Sequence, residues 1–329
     1  MPRASIIITT HNRPQLVPRA IASARLAGEG VEIIVIDDAS SDETQAICKL
    51  IPDINYVRLE RNQGVAGARN VGLVASSGEY ITFLDDDDVR LRNSLDEQIE
   101  ALRKTPQAML CYAKAIPQEA SGKQGEPYPA HCPQGDILWE LLVRNFIPCG
   151  AVVFRRACIS QVGLLDDSIP GIDDWDMWLR ICELAPVVAV ETPVLISRQS
   201  TPISAQGSSD TVGLIARGRK HFRENWLKLP RVASAARRRR SETWRAFSRN
   251  VAEHLAWETF YALGKAEMRQ ALRSARLLLQ LHPSGLFAVL RRWTSSPTFI
   301  TLITASFGGK DPANARRHFK RIRSNTSRP

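Results

Sequence analysis

Tyr80-Ile81-Thr82-Phe83-Leu84-Asp85-Asp86-Asp87-Asp88 is the stretch on which the fold turns: a short β-forming run leads directly into four consecutive carboxylates. Residues 80–84 read as a strand, because β-branched and aromatic side chains fit a pleated, buried surface. The four carboxylates that follow repel one another unless a cation or water screens them. A hard divalent ion such as Mg²⁺ or Mn²⁺ takes carboxylate oxygens and keeps coordination positions open for phosphate oxygens. The competing reading is a solvated acidic turn leading into a helix from about residue 91, since helix N-termini favour Asp.

Working back from this strand, residues 4–9, 32–37 and 54–59 are further apolar, β-branched runs. Helical patterns fall between them, over 14–27, 42–50 (after a Ser40-Ser41 cap) and 65–75. That alternation predicts βαβ units and a parallel sheet, whose ligands bind outside the carboxyl ends of the strands. Polar residues collect at those ends: Thr9-Thr10-His11-Asn12-Arg13, Asp37-Asp38-Ala39-Ser40 and Asp85 to Asp88. Further along, a Pro-, Gly- and Gln-rich surface loop or lid is expected at 117–133, a helix at 136–144 and a strand at 151–155. Another helix is entered through Asp173-Asp174, and a linker or mobile loop is expected over 197–213.

Composition narrows the classes. The 329 residues, 44% hydrophobic and 24% charged, suit a globular chain with a substantial core, and no uncharged stretch reaches the roughly 18 residues of a spanning helix. The six cysteines form no C-x-x-C pair, which argues against structural zinc and a disulfide framework and fits free thiols in a reducing cytosol. The net charge of +10 is uneven, with 25 of the 44 Lys/Arg but 6 of the 34 Asp/Glu lying from Arg217 onward. The candidate chemistry therefore sits in the acidic part, opposite to the usual arrangement in a nucleic-acid enzyme.

Taken together, Ile6-Ile7-Ile8-Thr9-Thr10-His11-Asn12-Arg13, Val35-Ile36-Asp37-Asp38-Ala39-Ser40-Ser41-Asp42, Arg61-Asn62-Gln63-Gly64 with Ala68-Arg69-Asn70-Gly72, and Phe83-Leu84-Asp85-Asp86-Asp87-Asp88 resemble inverting glycosyltransferase family 2, with its GT-A fold. Asp173-Asp174-Trp175-Asp176-Met177-Trp178 resembles the family's Glu-Asp pair and the helix after it, and the likeness runs over residues 4–200. The resemblance implies a nucleotide-sugar pocket lined by Thr9, His11 and Arg13, with Asp38 accepting from a uracil imide N–H. It implies Asp85, Asp86 and Arg69 near the donor, Asp87 as the direct ligand of Mn²⁺ or Mg²⁺, and Asp174 as general base in a single inverting displacement. His11 stands where Tyr is more usual, which puts ring stacking on the base in question, and Asp173 stands for Glu. Simpler readings exist for each: Thr9 ending a strand, Asp38 in an Asx-turn, Arg69 in a surface pair, and Asp173 or Asp174 capping a helix. Asp176 reads as a structural contact, Trp175 and Trp178 as core or acceptor-site walls, and His131 as solvent-exposed.

The expected architecture is thus α/β, a GT-A-type sheet with flanking helices over 1–212, and a basic helical region over 213–329. Helices at 244–263 and 265–281 would form a hairpin there. Arg237 to Arg240, Arg291-Arg292 and Arg316-Arg317 with Lys320-Arg321-Arg323, among the apolar stretches 286–293 and 299–307, suggest contact with anionic membrane from the cytoplasmic side, set against a plain solvated bundle. Expected partners are a nucleotide-sugar donor, UDP-linked for choice, and a glycan or lipid-linked acceptor in cell-envelope polysaccharide or lipopolysaccharide synthesis. Two other classes fit these residues less well. A sugar-phosphate nucleotidyltransferase would carry a Gly-rich phosphate loop where Thr9 to Arg13 stands, and a nucleic-acid-binding protein would need a reading motif that the basic tail lacks.

Overall fold

The computed structural model describes residues 1–198, 210–264 and 267–281. Its elements run β1 (Ala4–Thr10), α1 (Val17–Arg25), β2 (Val31–Asp37), α2 (Thr44–Leu50), β3 (Asn55–Arg58), α3 (Gly64–Ala75) and β4 (Tyr80–Asp85). They continue with β5 (Val89–Arg90), α4 (Ser94–Lys104), β6 (Leu110–Gln118), α5 (Leu138–Val143), β7 (Val152–Arg155), α6 (Ile159–Val162), α7 (Asp173–Leu184) and β8 (Val187–Arg198). After these come α8 (Thr211–Glu224), α9 (Pro230–Ser234), α10 (Arg237–Gly264) and α11 (Met268–Leu281).

The strands form one eight-stranded sheet in the order β3-β2-β1-β4-β7-β6-β8-β5. Its β3-β2-β1-β4 half is parallel, as the alternation of strands and helices predicts. Beyond β4 the sheet becomes mixed, because β7 runs antiparallel to both β4 and β6, and β5 antiparallel to β8. Every residue of β1 is buried, which explains its unbroken apolar run: a strand covered on both faces has no polar side. On one face Ile6, Ile8, Ile33, Val35 and Leu84 pack with Ala20, Ile21 and Ala24 of α1 and Ile99 and Leu102 of α4. Elsewhere Phe83, Phe154 and Trp178 pack ring to ring, with centroids 5.8–6.4 Å apart. That contact makes Trp178 a core residue and anchors α7 to the sheet.

Helix α3 approaches β1 closely at Gly72, where an added Cβ would lie 2.3 Å from Ile7 Cγ2. Gly72→Ala should therefore destabilise the protein by about 1–3 kcal/mol through overpacking, less the gain in helix propensity. Urea unfolding checks this as a lowered midpoint with an unchanged slope.

Two local expectations are corrected, and the expected surface loop is found at 119–133. The first helix begins at Val17, not at residue 14, because Asn12 takes a left-handed conformation (φ 53°) and the Arg13 carbonyl accepts the Leu16 and Val17 amides in a separate turn. Ser40 does not cap α2; Asp42 Oδ1 accepts the Thr44 amide instead, while Ser40 Oγ accepts the Asn12 amide. Residues 119–133 fold back on β6 through paired Ala115–Tyr128 backbone bonds.

The chain divides into two compact units, Met1–Ser209 with Phe222–Ser234, and Asp210–His221 with Ala235–Pro329. A single cut after residue 212 misses the return of Phe222–Ser234 to the first unit. There Trp226 is buried, donating its indole N–H to Asp176 at 2.8 Å and lying 4.7 Å from Trp175. In the second unit, α10 packs along α11 and starts at Arg237, so the Arg237–Arg240 run forms its first turn. Residues 199–209 of the expected linker, and the expected basic and apolar stretches from residue 286 onward, lie outside the described residues. Among the described residues no helix is long and apolar enough to cross a membrane.

Candidate active site

Sheet register assembles the site. Thr9 pairs with Asp85 and Thr10 with Asp37, so the ends of β1, β2 and β4 lie side by side. Asp37 is wholly buried and fully employed: it accepts the Ser40 amide (2.8 Å) and the Tyr56 hydroxyl (2.6 Å), fixing the turn after β2. Asp38 then projects from that turn, its amide donating to Thr10 O and its Oδ1 accepting the Gln63 amide at 2.7 Å. No described residue engages its second carboxylate oxygen. His11 is exposed, with Nδ1 2.7 Å from the Asp38 carbonyl and Nε2 3.0 Å from Asn12 Nδ2, so both ring nitrogens are held at the rim where the first two strands end.

The four-carboxylate run splits by direction. Asp86 faces inward, accepting from Thr10 Oγ1 (2.7 Å) and Arg13 Nη1 (2.6 Å), and burial pushes its carboxyl up to about 6. Expected beside the donor, Asp86 instead has both oxygens engaged within the protein, and its geometry suits it to fixing Arg13. Asp88 is also buried, accepting the Arg198 amide at 2.8 Å. Asp85 and Asp87 are left at the surface of the run. The nearest cation to Asp87 is Arg13 at 3.6 Å, and burial followed by the charge of Asp85 raises its carboxyl above the ordinary range. This pair is a hard, oxygen-only donor set with a surplus of negative charge, and it fits a divalent cation completed by phosphate oxygens. Among the described residues no three His, Cys, Asp or Glu side chains close around a common point, so the protein alone does not make a complete cage.

Arg69 joins the two halves of the site. Nearly buried on α3, it donates to Asp85 Oδ1 at 2.6 Å, lies 3.6 Å from Asp173 Oδ2, and has its guanidinium 5.2 Å from the centre of the Phe83 ring. The surrounding carboxylates Asp85, Asp173 and Asp174 hold it firmly cationic against the cost of burial. The surface-pair reading of Arg69 does not apply.

The carboxylate pair opens α7: Asp173 Oδ1 accepts the Gly171 amide, while Asp174 Oδ1 accepts that of Trp175 in the first helical turn, as the capping reading of one member expects. Asp174 is half-buried, and desolvation together with the adjacent Asp173 charge pushes its carboxyl up to about 7. A carboxylate in that range is matched to accepting a proton near neutral pH. Asp176, one turn in, is structural, bonded to Arg180 (2.8 Å) and Trp226. Trp175 is part-buried and donates to Leu141 O at 2.8 Å.

Three contributors escape sequence reading. Asn70 exchanges two 2.9 Å bonds with the Leu165 backbone, clamping α3 to the segment that delivers Asp173. Arg90 is fully buried, bonded to Thr82 Oγ1, Gln98 and the Gly150 carbonyl, with no carboxylate partner among the described residues, and burial lowers its guanidinium to about 9. Cys149 lies among Arg69, Asp85, Asp173 and Asp174, and its thiol is raised well above the ordinary value by burial. The other five cysteines are buried, and all six are free.

A mixed α/β sheet that gathers carboxylates at its parallel strand ends and sets a helix-borne carboxylate pair across from them is the GT-A architecture. The model of Glycosyl transferase family 2 matches residues 5–160 of the chain. The chain is 40% identical over 104 residues to the succinoglycan biosynthesis protein ExoO of Rhizobium meliloti, covering 30% of each protein. It is 42% identical over 101 residues to the GalNAc(5)-diNAcBac-PP-undecaprenol beta-1,3-glucosyltransferase of Campylobacter jejuni, over 29% of this chain and 33% of that one. An uncharacterized glycosyltransferase of Haemophilus influenzae is 25% identical over 183 residues, 54% of this chain and 62% of its own. The chain thus spans between 30% and 62% of the length of these relatives. Among solved structures, S. aureus TarS 1-349 in complex with UDP-GlcNAc superposes with a TM-score of 0.62 at 16% identity, over 99% of this chain and 92% of that one.

Proposed function

We propose that this chain transfers a sugar from a UDP-linked donor to a hydroxyl of a glycan or lipid-linked acceptor, with inversion, in the synthesis of cell-envelope polysaccharide or lipopolysaccharide. Work at the cytoplasmic face of the membrane is part of the same reading. The observation that carries it is the Asp85–Arg69–Asp173 bridge, which ties a donor-side carboxylate to the pair containing a carboxylate poised near pH 7. The family match over residues 5–160, the lipid-linked substrate in the name of the C. jejuni relative and the UDP-GlcNAc held by TarS support it.

In this mechanism Asp38 accepts from the uracil imide, with Thr9, His11 and Arg13 about the nucleotide. Asp174 takes the proton of the acceptor hydroxyl as that oxygen bonds to the anomeric carbon, and the bond from that carbon to the diphosphate oxygen breaks. One displacement inverts the centre, and no carboxylate nucleophile is needed. Arg69 offsets charge on the departing diphosphate. Asp87, with Asp85 beside it, would hold Mn²⁺ or Mg²⁺, which when bound supplies further neutralisation of that charge.

The test is a screen of UDP-sugars with Mn²⁺ or Mg²⁺ and the anomeric configuration of the product read by NMR. Inversion is expected, and retention overturns the mechanism. Base choice has its own test. Asp38→Asn can still accept the Gln63 amide but presents an N–H₂ donor where the imide N–H arrives, so UDP binding should weaken about tenfold or more. CDP, whose ring nitrogen accepts at that position, should lose less, and calorimetric titration of both nucleotides reads the difference.

A further inference from the structure

From the outer face of α11 we infer that the second unit carries an interfacial surface for anionic lipid bilayers. This deepens the membrane-side reading above but stands on a different part of the molecule. Helix α11, Met268–Leu281, buries one face: Ala271, Ser274, Leu277, Leu278 and Leu281 are inward, and the helix packs along α10. A packed helix ordinarily turns polar residues outward on its other side. This one does not. Met268, Leu272, Ala275 and Leu279 follow one another at i, i+4, i+7 and i+11, a single line along the helix. Met268, Leu272 and Leu279 are 55%, 66% and 47% exposed. Beside that line lie Arg269, Arg273 and Arg276, and the helix contains no Asp or Glu. Arg269 and Arg276 are exposed, and Arg273, also exposed, is paired with Asp210 at 2.5 Å.

An apolar stripe flanked by arginine, on a helix without acidic residues, is the pattern of a helix lying in the headgroup region: the leucines and methionine enter the acyl boundary and the guanidiniums meet lipid phosphates. Charge selects the occupant. A second copy of the face would bring like charges together, whereas an anionic leaflet attracts them, at about 1 kcal/mol per basic residue near the surface.

The test is flotation of the full chain with phosphatidylcholine vesicles, with and without phosphatidylglycerol, at low and high salt. Binding should require phosphatidylglycerol and weaken with salt. Leu272→Glu and Leu279→Glu change exposed side chains, so helicity by circular dichroism should be unchanged while vesicle affinity falls about tenfold for each. Arg269→Glu with Arg276→Glu should weaken binding at low salt and remove most of its salt dependence. No flotation with phosphatidylglycerol vesicles, or flotation unaffected by the leucine variants, overturns the inference. So does a wild-type dimer that the leucine variants convert to monomer without any vesicle binding. UDP titration of the same preparations is independent of this face, so a failure here is distinguishable from failure of the proposed reaction.

Discussion

Asp174→Asn should lower sugar transfer about a hundredfold to ten-thousandfold, the range lost with a positioned general base, while leaving UDP affinity near that of the wild type. The amide keeps the size of the carboxylate and can still accept the Trp175 amide that Asp174 Oδ1 accepts at 2.6 Å, so the helix start should survive. It cannot take the proton of the acceptor hydroxyl. The pH profile carries the same argument. With the carboxyl pushed up to about 7 by burial and by Asp173, the wild-type rate should rise with pH through about 7 and then level, because only the ionised form acts as a base. Asp173→Asn removes the like charge, and the rising limb should move to lower pH. Linkage supplies a check without substrate: a carboxyl raised in the folded state stabilises the fold fully below its unfolded value, and that contribution is lost as pH rises through the folded one. Thermal unfolding should therefore show Asp174→Asn gaining on the wild type from below pH 4 to above pH 7. A variant that transfers sugar at near the wild-type rate would sink the assignment.

Asp87→Asn should abolish the assistance that Mn²⁺ or Mg²⁺ gives to UDP binding and lower kcat/KM about a hundredfold or more, as when one preorganised charge contact to a leaving group is removed. Asp87 is held less closely than Asp85 or Asp86: its nearest cation, Arg13, is 3.6 Å away, Arg198 acts on it as well, and burial and Asp85 raise its carboxyl. Asp86, held by Thr10 and Arg13, behaves differently. Its replacement should loosen Arg13 and cost stability, because that part-buried arginine loses its 2.6 Å carboxylate contact and keeps the longer one to Asp87. Calorimetric titration of UDP into each variant, with and without the ion, separates the two. Equal ion dependence in Asp87→Asn and wild type would remove Asp87 from the cation site.

Much of the parallel half was legible, because the centres of β1, β2 and β4 are buried and therefore rich in Ile, Val, Phe and Leu, with polar residues massed where each strand stops. Strands β6 and β8 were not. Cys111, Ala113 and Ala115 carry little β-propensity, Pro117 sits inside β6, and Glu191-Thr192-Pro193 interrupts β8 opposite a register shift. Of the site, the carboxylate clusters were visible as local groups, but the direction each side chain takes was not. A run of four Asp carries no mark that Asp86 and Asp88 turn inward. Nor does anything near Arg90 announce a buried guanidinium, since its partners Thr82, Gln98 and Gly150 come from three other segments. The Asn70–Leu165 clamp and the Trp226–Asp176 bond span 95 and 50 residues of chain and exist only once the sheet has formed.

Arg69 shares one guanidinium between carboxylates on either side of the proposed reaction centre. Whoever re-engineers donor preference at Asp85 thereby alters the surroundings of the proton acceptor, and changes near Asp173 reach back to the nucleotide. Free-energy effects of substitutions on the two sides should accordingly fail to sum, so the pocket is best redesigned as a whole, with Arg69 and its two partners varied together.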